Sequence, residues 1–261
     1  MDQFTHVEVA VDGETASITM NIPAKLNPLG TEMLQELALA ARYIDTQPDV
    51  KVVLVSGAGR VFSAGADVAA FADGASTSDP IVNGDAGRLM AEALERMRAV
   101  AVAKIHGWCV GGGLVVAAAC DLRVAAHDAM FSIPEIDLGI PLAWGGIPRL
   151  VREIGPALTK ELVMTCRPFD AAEGKASGFL NRVVPADQLD AEVDELVATL
   201  VSKPRYALLA TKAHTNAVTS QMVGTDRSWS DTDGLLVGLR DKEGRESART
   251  YLENMKASKR N

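Results

Sequence analysis

Hydrophobic and polar residues alternate with a two-residue period in two short segments near the start of the chain. Valines occupy every second position over residues 7–11, and other apolar residues repeat the pattern over 16–20. Asp12 and Gly13 lie between the two segments, and this dipeptide is typical of a tight turn. The pattern therefore predicts a β-hairpin.

The apolar period then changes to three and four residues, which is typical of a helix with one buried face. This spacing predicts a helix over 31–46, with Thr31 as its N-cap. Short apolar runs alternate with further helical segments after it, so the order of elements indicates a layered α/β protein with parallel strands. We expect the runs near 52–55, 102–106 and 122–125 to share one sheet.

A segment rich in Gly, Ser, Asp and Pro interrupts this alternation over residues 72–87. It has no apolar period, so we expect a mobile loop there. Helical spacing resumes at about residue 86. A second apolar helix is expected to follow the glycines at 111–113 and to continue to Cys120.

The character of the chain changes after about residue 185, where no segment predicts a strand. Four segments there have helical periodicity: 186–202, 204–217, 228–240 and 244–257. We therefore expect a core over residues 1–185 and a helical region over 186–261. Because the apolar faces of these helices exceed what one core can cover, we expect the helical region to serve oligomerisation.

Composition narrows the class of protein without changing this outline. The 261 residues are 48% hydrophobic and 23% charged, which excludes disorder over most of the chain. A net charge of −8 gives no bulk attraction to nucleic acid. The longest apolar run, 114–120, is too short to cross a membrane.

The cysteines and the first residues bear on the cellular compartment. The three cysteines have no metal-ligand spacing, and so sparse a set fits a reducing compartment. The N-terminal segment carries acids and lacks the basic start of a signal peptide. We therefore expect a cytoplasmic protein with no nucleic-acid partner, no membrane partner and no metal.

Two glycine-bearing segments, 62–67 and 106–113, each follow a predicted strand. Glycine lets backbone amides approach a ligand closely because it has no Cβ. Two such amides directed at one carbonyl oxygen would form an oxyanion hole. The alternative is that both segments are tight turns between a strand and a helix. Neither has the spacing of a dinucleotide-binding or nucleotide-binding loop.

Taken together, several segments resemble the crotonase superfamily, also called the enoyl-CoA hydratase/isomerase superfamily, in both order and spacing. They are 23–28, 56–57 with 62–67, 107–113, and 119–123 with 131–140. The resemblance covers nearly the whole chain. It implies an α/β fold with a ββα spiral core and a C-terminal helical trimerisation region, assembled as a homotrimer or hexamer. It also implies an acyl-CoA thioester as the ligand, with CoA as part of the substrate and no separate cofactor.

The resemblance implies roles for both glycine loops. The thioester oxygen is expected to accept hydrogen bonds from the backbone amides of Ala66 and Gly112, so both residues are expected to be catalytic and to bind substrate. Ala64 and Asp67 of the first loop are also expected to lie at the substrate. For Asp67, the alternative is that its side chain caps the following helix.

A difference from the family concerns its two catalytic glutamates. The second is present as Glu135, but the first position is Val115. Hydration needs a water held between two carboxylates, whereas one carboxylate can move a proton between two carbons of the same substrate. Glu135 is thus expected to be the acid/base, with the apolar neighbours raising its pKa, and Asp137 is a possible second acid. Val115 is expected to line the substrate site.

This difference favours an isomerase that moves a double bond from the 3 to the 2 position of an enoyl-CoA. The alternatives are a weak enoyl-CoA hydratase, another crotonase reaction such as thioester hydrolysis, and a non-catalytic acyl-CoA-binding module. For Glu135 itself, the alternative is an exposed acid at the start of a helix, where it would favour the helix dipole.

Three further residues are candidates for contact with the ligand. Lys25 and Lys256 could bind the phosphates of CoA, and Trp144 could form a wall of the acyl pocket. The alternatives are solvated lysines and a tryptophan that only packs in the core. Cys109 lies beside a glycine loop without an evident base, so we expect a buried cysteine.

Overall fold

The computed structural model describes residues 4–67 and 80–258. The strands are β1 Val7–Asp12, β2 Thr15–Met20, β3 Val52–Gly57, β4 Val100–Ile105, β5 Trp108–Val110, β6 Leu122–Ala126, β7 Met130–Ser132, β8 Phe169–Asp170 and β9 Arg182–Val184. The α-helices are α1 Thr31–Asp45, α2 Pro80–Arg96, α3 Gly112–Ala118, α4 Gly146–Thr165, α5 Ala171–Ala176, α6 Leu189–Val201, α7 Arg205–Met222, α8 Asp231–Arg240 and α9 Lys242–Ser258. Short 3₁₀ turns cover Pro23–Lys25, Ala186–Gln188 and Asp226–Ser230.

A six-stranded sheet in the order β1-β2-β3-β4-β6-β9 forms the centre of the fold. β1 and β2 form the predicted antiparallel hairpin, and all the following pairs are parallel. Ile18 pairs with Val55, and Val55 pairs with Ala103. The prediction that the three apolar runs share one sheet is therefore confirmed.

Both faces of this sheet are covered, which explains why its strands are continuous apolar runs. On one face, Val52 and Val102 pack with Val193 of α6. On the other face, Val53 and Ala101 belong to the main core, which also contains most buried residues of α1, α2 and α3.

A second sheet of three strands, in the order β5-β7-β8, lies outside the sequence predictions. Its strands have only two or three residues, too few for an alternating pattern to be recognised. Phe131 of β7 stacks on Phe169 of β8 with ring centroids 5.1 Å apart, and Phe179 meets Phe131 edge-on at 6.0 Å. This small sheet carries the second glycine loop on β5 and the segment leading to Glu135 on β7.

Two predictions about helix starts are wrong. Gly30, not Thr31, is the N-cap of α1, so this end of the helix has no side-chain hydrogen bond from its cap residue. The loop predicted over 72–87 is helical from Pro80 onward, while the part before residue 80 lies outside the described residues. Proline is tolerated in the first turn of a helix. The glycines of α2 serve close packing, since a Cβ at Gly87 would collide with the ring of Trp144.

The helices predicted after residue 185 are confirmed, and the described residues beyond 185 contain no strand. α7 has no buried residue and exposes Tyr206, Val218 and Met222. α8 packs against α2, so the helical region also contributes to the core side of the molecule. Oligomerisation and a division at residue 185 stay predictions. In the described ranges, no helix combines the length and the apolar character needed to span a membrane.

Candidate active site

The two glycine loops pack directly against each other. The Ser63 amide donates to the Trp108 carbonyl at 3.1 Å, and the Val110 amide donates to the Ser63 carbonyl at 3.0 Å. Gly65 has a φ of +87°, and a Cβ there would lie 2.8 Å from the Val110 carbonyl oxygen. Glycine is therefore required at position 65 both for the backbone conformation and for the close approach of the loops.

The Ala66 amide is free to face a ligand because of how the first loop pairs with Leu29. In this parallel bridge, Leu29 donates to the Gly65 carbonyl at 2.8 Å and accepts from the Asp67 amide at 3.4 Å. In this pairing, Leu29 bonds to the Gly65 carbonyl and to the Asp67 amide, which lie on either side of Ala66. The amide of Ala66 itself therefore points away from Leu29. Among the described residues, no backbone carbonyl accepts from the Ala66 amide.

Gly112 presents a second amide, since it is the first residue of α3 and has no partner one turn earlier in the helix. In the part of the chain that the structure describes, its amide also donates to no backbone carbonyl. Ala66, Gly112 and Glu135 all line one cavity. Two amides with no backbone acceptor in the described ranges and a carboxyl group at one cavity are the components needed to stabilise an oxyanion and to move a proton.

Glu135 follows Pro134 on a turn rather than at the start of a helix, and it is only 8% exposed. The alternative of an exposed acid at a helix start is therefore wrong. Its carboxyl group lies against the backbone of Gly111, where a Cβ would collide with Oε1. Gly111 has a φ of +48°, and its amide donates to the Ser132 carbonyl at 2.8 Å.

Burial desolvates the Glu135 carboxyl group, and the one hydrogen bond that favours its ionised form, from its own backbone, does not offset this. Oε2 is buried and has no hydrogen-bond partner among the described residues. Burial raises the pKa of Glu135 to about 7, because the ionised form loses its hydration. A carboxyl group with such a pKa is suited to accept and return a proton near neutral pH.

At the position where the family has its first catalytic glutamate, this chain has an apolar side chain. Val115 is 2% exposed, and its Cγ2 would lie 3.0 Å from a Cβ at Gly146. It is a core residue and, in the described ranges, does not line the cavity beside Glu135. Asp137 does line that cavity, and its carboxyl group is exposed.

The cavity has two parts that meet at Ala66, Glu135 and Ile140. The outer cavity has a volume of about 410 Å³, and its walls include Ala64, Trp108 and Tyr251. The inner cavity has a volume of about 30 Å³, and its walls include Gly112, Leu142, Trp144 and Leu235. A ligand carbonyl at the Ala66 and Gly112 amides would thus have a large space on one side and a small apolar one on the other.

The remaining predicted ligand residues, Lys25, Asp67 and Lys256, are not among the residues that line either cavity in the described ranges. Lys25 is exposed, and its neighbour Leu26 lines the outer cavity. Asp67 lies beside Gly30, 3.8 Å from a Cβ built at that glycine, and the helix that it might cap falls outside the described residues. Lys256 is on α9, and its side chain is outside the described residues. Cys109 is buried, as predicted.

Sequence reasoning missed the residues that the helical region contributes to the cavity. Tyr251 of α9 lines the outer cavity, and Leu235 of α8 lines the inner cavity. The Ser247 hydroxyl donates to the Asp137 carbonyl at 2.8 Å, which holds α9 beside the turn of Glu135. No local signal could have found these residues, because their place depends on how α8 and α9 fold back onto the core.

Comparisons with known proteins give the family to which the chain belongs. The family model for enoyl-CoA hydratase/isomerase matches residues 11–259. A probable enoyl-CoA hydratase of Mycobacterium leprae is 38% identical over 212 residues, which cover 80% of each chain. A peroxisomal Δ(3,5)-Δ(2,4)-dienoyl-CoA isomerase of Arabidopsis thaliana is 31% identical over 82% of each chain.

A solved enoyl-CoA hydratase of Mycobacterium avium subsp. paratuberculosis has the same fold, with a TM-score of 0.86 and 29% identity. The match covers 94% of this chain and 98% of that one. The chain therefore belongs to the enoyl-CoA hydratase/isomerase family and has the crotonase fold. It is an enzyme of that family, as the resemblance of its motifs predicted.

Proposed function

We propose that this protein isomerises enoyl-CoA thioesters, moving a double bond from the 3 to the 2 position. Glu135 takes a proton from C2, and the electron pair of that C–H bond moves toward the thioester oxygen. The amides of Ala66 and Gly112 hydrogen-bond to the enolate oxygen. Protonated Glu135 then returns the proton to C4, which leaves the double bond between C2 and C3.

The observation that carries this proposal is the buried carboxyl group of Glu135, whose Oε2 has no hydrogen-bond partner among the described residues. Its pKa of about 7 lets it exchange a proton in both directions near neutral pH. The Ala66 and Gly112 amides are fixed by the packing of two loops, so they need no reorganisation as charge develops. Each such donor contributes roughly 3 kcal/mol to a transition state.

Val115 favours isomerisation over hydration. A hydratase has to activate a water and also give a proton to carbon, and the family divides this work between two carboxylates. The Val115 side chain can neither bind water nor carry a proton. Isomerisation needs one group that serves two carbons of the same substrate, which Glu135 provides.

Enoyl-CoA hydration is the second candidate, and the position of Asp137 favours it. This exposed carboxylate lines the outer cavity together with Glu135, so a water could contact both groups. The Mycobacterium leprae relative, 38% identical, also has a hydratase name. The two candidates differ in whether Asp137 takes part in turnover.

Wild-type enzyme should be assayed with 3-butenoyl-CoA for isomerisation and with crotonyl-CoA for hydration. We expect isomerisation, and hydration at least ~100-fold slower than that of a two-glutamate hydratase, because a positioned acid or base contributes roughly 10²–10⁴-fold. Efficient hydration that is lost in Asp137→Asn would overturn the proposal in favour of the second candidate. Binding of butanoyl-CoA with no turnover of either substrate would indicate a non-catalytic module.

Val115→Glu tests the role of the missing carboxylate, with Val115→Gln as a control of similar size that carries no charge. We expect the Glu variant to hydrate crotonyl-CoA faster than wild type and the Gln variant not to do so. The new carboxyl group enters an apolar region, so both variants should be checked for folding before their rates are compared.

A further inference from the structure

The indole of Trp144 lies between two glycines and lines the inner cavity. A Cβ at Gly87 of α2 would collide with the ring atoms Cδ2, Cε2 and Cγ, and a Cβ at Gly112 would collide with Cζ3. One end of the indole therefore lies on α2, and the other end lies on the residue whose amide faces the ligand. An acyl chain whose carbonyl binds at Gly112 and whose tail enters the inner cavity meets this ring.

The backbone around Trp144 prevents the ring from moving aside easily. Trp144 has a φ of +60°, a left-handed conformation that costs free energy for a bulky residue and persists only when its surroundings impose it. The next amide, of Gly145, donates to Asp231 Oδ2 at 2.8 Å. Arg149 Nη1 donates to the carbonyls of Trp144 and Gly145 at 3.2 and 3.1 Å.

Arg149 is itself fixed. It is 1% exposed, and its guanidinium is paired with Glu95 of α2. Asp231 begins α8, and Leu235 of the same helix lines the inner cavity. The position of the indole thus depends on an ion pair in the core and on a helix of the C-terminal region.

The inner cavity is small and apolar on the far side of the ligand amides. Ile140, Pro141, Leu142, Ala143 and Leu235 form its walls together with Trp144. Its free volume is about 30 Å³. A water-sized group needs roughly 10–15 Å³ on this measure, so there is room for about two or three groups of that size beyond the carbonyl.

We infer that Trp144 is the residue that limits the acyl group of the substrate to about four carbons, and that Asp231 and Arg149 are positioning residues for it. The inference rests on the proposed acyl-CoA function and adds the substrate class. The apolar walls select an unsubstituted hydrocarbon chain, and the indole excludes a longer one.

Calorimetric binding of saturated acyl-CoA thioesters tests this limit without depending on turnover. The series is CoA alone, acetyl-CoA, butanoyl-CoA, octanoyl-CoA and dodecanoyl-CoA. Each well-buried methylene strengthens binding about fourfold. In wild type we expect affinity to increase from acetyl to butanoyl and to fall at least ~10-fold at octanoyl.

Trp144→Ala and Trp144→Leu remove the ring, and the second retains more of the core packing if the first does not fold. We expect each folded variant to bind octanoyl-CoA at least ~10-fold more tightly, relative to butanoyl-CoA, than wild type does. The matched control is Trp108→Ala, at the 43%-exposed tryptophan of the outer cavity. It should weaken all acyl lengths by the same factor.

Asp231→Ala retains the Trp144 side chain but removes the acceptor of the Gly145 amide, so the indole loses part of its positioning. This variant should reduce the discrimination between butanoyl-CoA and octanoyl-CoA, which a purely structural role for Asp231 would not do. Wild-type binding of octanoyl-CoA as tight as that of butanoyl-CoA, or a chain-length profile unchanged in folded Trp144→Leu, would overturn the inference. Failure of every thioester to bind more tightly than CoA alone would instead overturn the proposed function.

Discussion

Two regions of the molecule meet at Trp144, and each contains a glutamate that is largely removed from solvent. The pKa values of these two glutamates shift in opposite directions. Glu95 of α2 is paired with Arg149 and Arg152. Burial tends to raise its pKa, but the charges and hydrogen bonds of the two arginines outweigh burial and lower it. Within residues 4–67 and 80–258, Glu135 has no such partner for Oε2, and burial raises its pKa to about 7.

Pairing with positively charged partners is the physical property that separates a structural carboxylate from a reactive one. A paired carboxylate stays ionised and fixes its neighbours, so Glu95 serves the conformation around Trp144. An unpaired one is costly in its ionised form and can exchange a proton near neutral pH. Variants of the two residues should therefore have opposite effects on stability and different effects on activity.

The largest expected effect is on catalysis at Glu135. Glu135→Gln should reduce the isomerisation rate of 3-butenoyl-CoA about 10²–10⁴-fold, because the amide cannot accept the proton. Rates are measured at saturating substrate, and butanoyl-CoA affinity shows that the site is intact. Glu161→Gln is the control, since this glutamate pairs with Arg167 at 2.7 Å outside the cavity.

The pH dependence of the wild-type rate gives the same comparison a second test. The carboxylate is the active form of the base, so kcat/KM should rise with pH through a midpoint of about 7. A Glu135→Gln enzyme that keeps wild-type activity, or a rate already at its maximum at pH 5, would contradict the assignment of Glu135 as the base.

The next largest effect is on stability at Glu95. Glu95→Gln leaves Arg149 and Arg152 without their carboxylate, and breaking a buried ion pair costs about 3–5 kcal/mol. Urea unfolding at pH 7 measures the change. A loss below about 1 kcal/mol would mean that the pairing around Trp144 does not stabilise the fold.

A smaller effect of opposite sign is expected at Glu135. Its pKa rises from the ordinary value of 4.5 to about 7 in the fold, so wild type loses stability as pH increases through this window. The Glu135→Gln variant has no carboxyl group to ionise at this position, so it does not lose this stability as pH increases. The advantage of the variant over wild type should grow by about 2–3 kcal/mol between pH 5 and pH 8.

Urea unfolding at the two pH values tests this prediction, and Asp137→Asn is the matched control on the same turn. Its carboxyl group is exposed, so removing it relieves no buried charge. A variant advantage at Glu135 that is equal at pH 5 and pH 8 would show that the ionised carboxylate is not destabilising there.

The smallest effect is expected for an ion pair within a helix near the surface. Asp85 contacts Arg88 at 2.5 Å on α2, three residues apart, and Arg88 also has Glu92 as a partner. Asp85→Asn should lower the free energy of unfolding by roughly 0.3–0.5 kcal/mol. A loss as large as that of Glu95→Gln would remove the distinction between core and surface pairs.

Local patterns in the sequence determined much of the fold. The hairpin, α1 and the parallel strands β3, β4 and β6 follow from periodicity, because each buries one face or lies wholly inside. The C-terminal helices follow from it as well, although α7 has no buried residue. The start of α2 did not follow, since Gly84 and Gly87 resemble loop residues in sequence and act as packing contacts in the fold. The strands of the small sheet were too short to have a period.

The sequence also contained the two glycine loops, Glu135 and the missing carboxylate at Val115, because these belong to contiguous motifs. Only the tertiary structure decided the environment of each. It buried Glu135 with no partner for Oε2 in the part of the chain that the structure describes, paired Glu95 with two arginines, and brought Tyr251 and Leu235 to the cavity. Desolvation and charge pairing depend on residues far apart in the chain, so no local pattern specifies them.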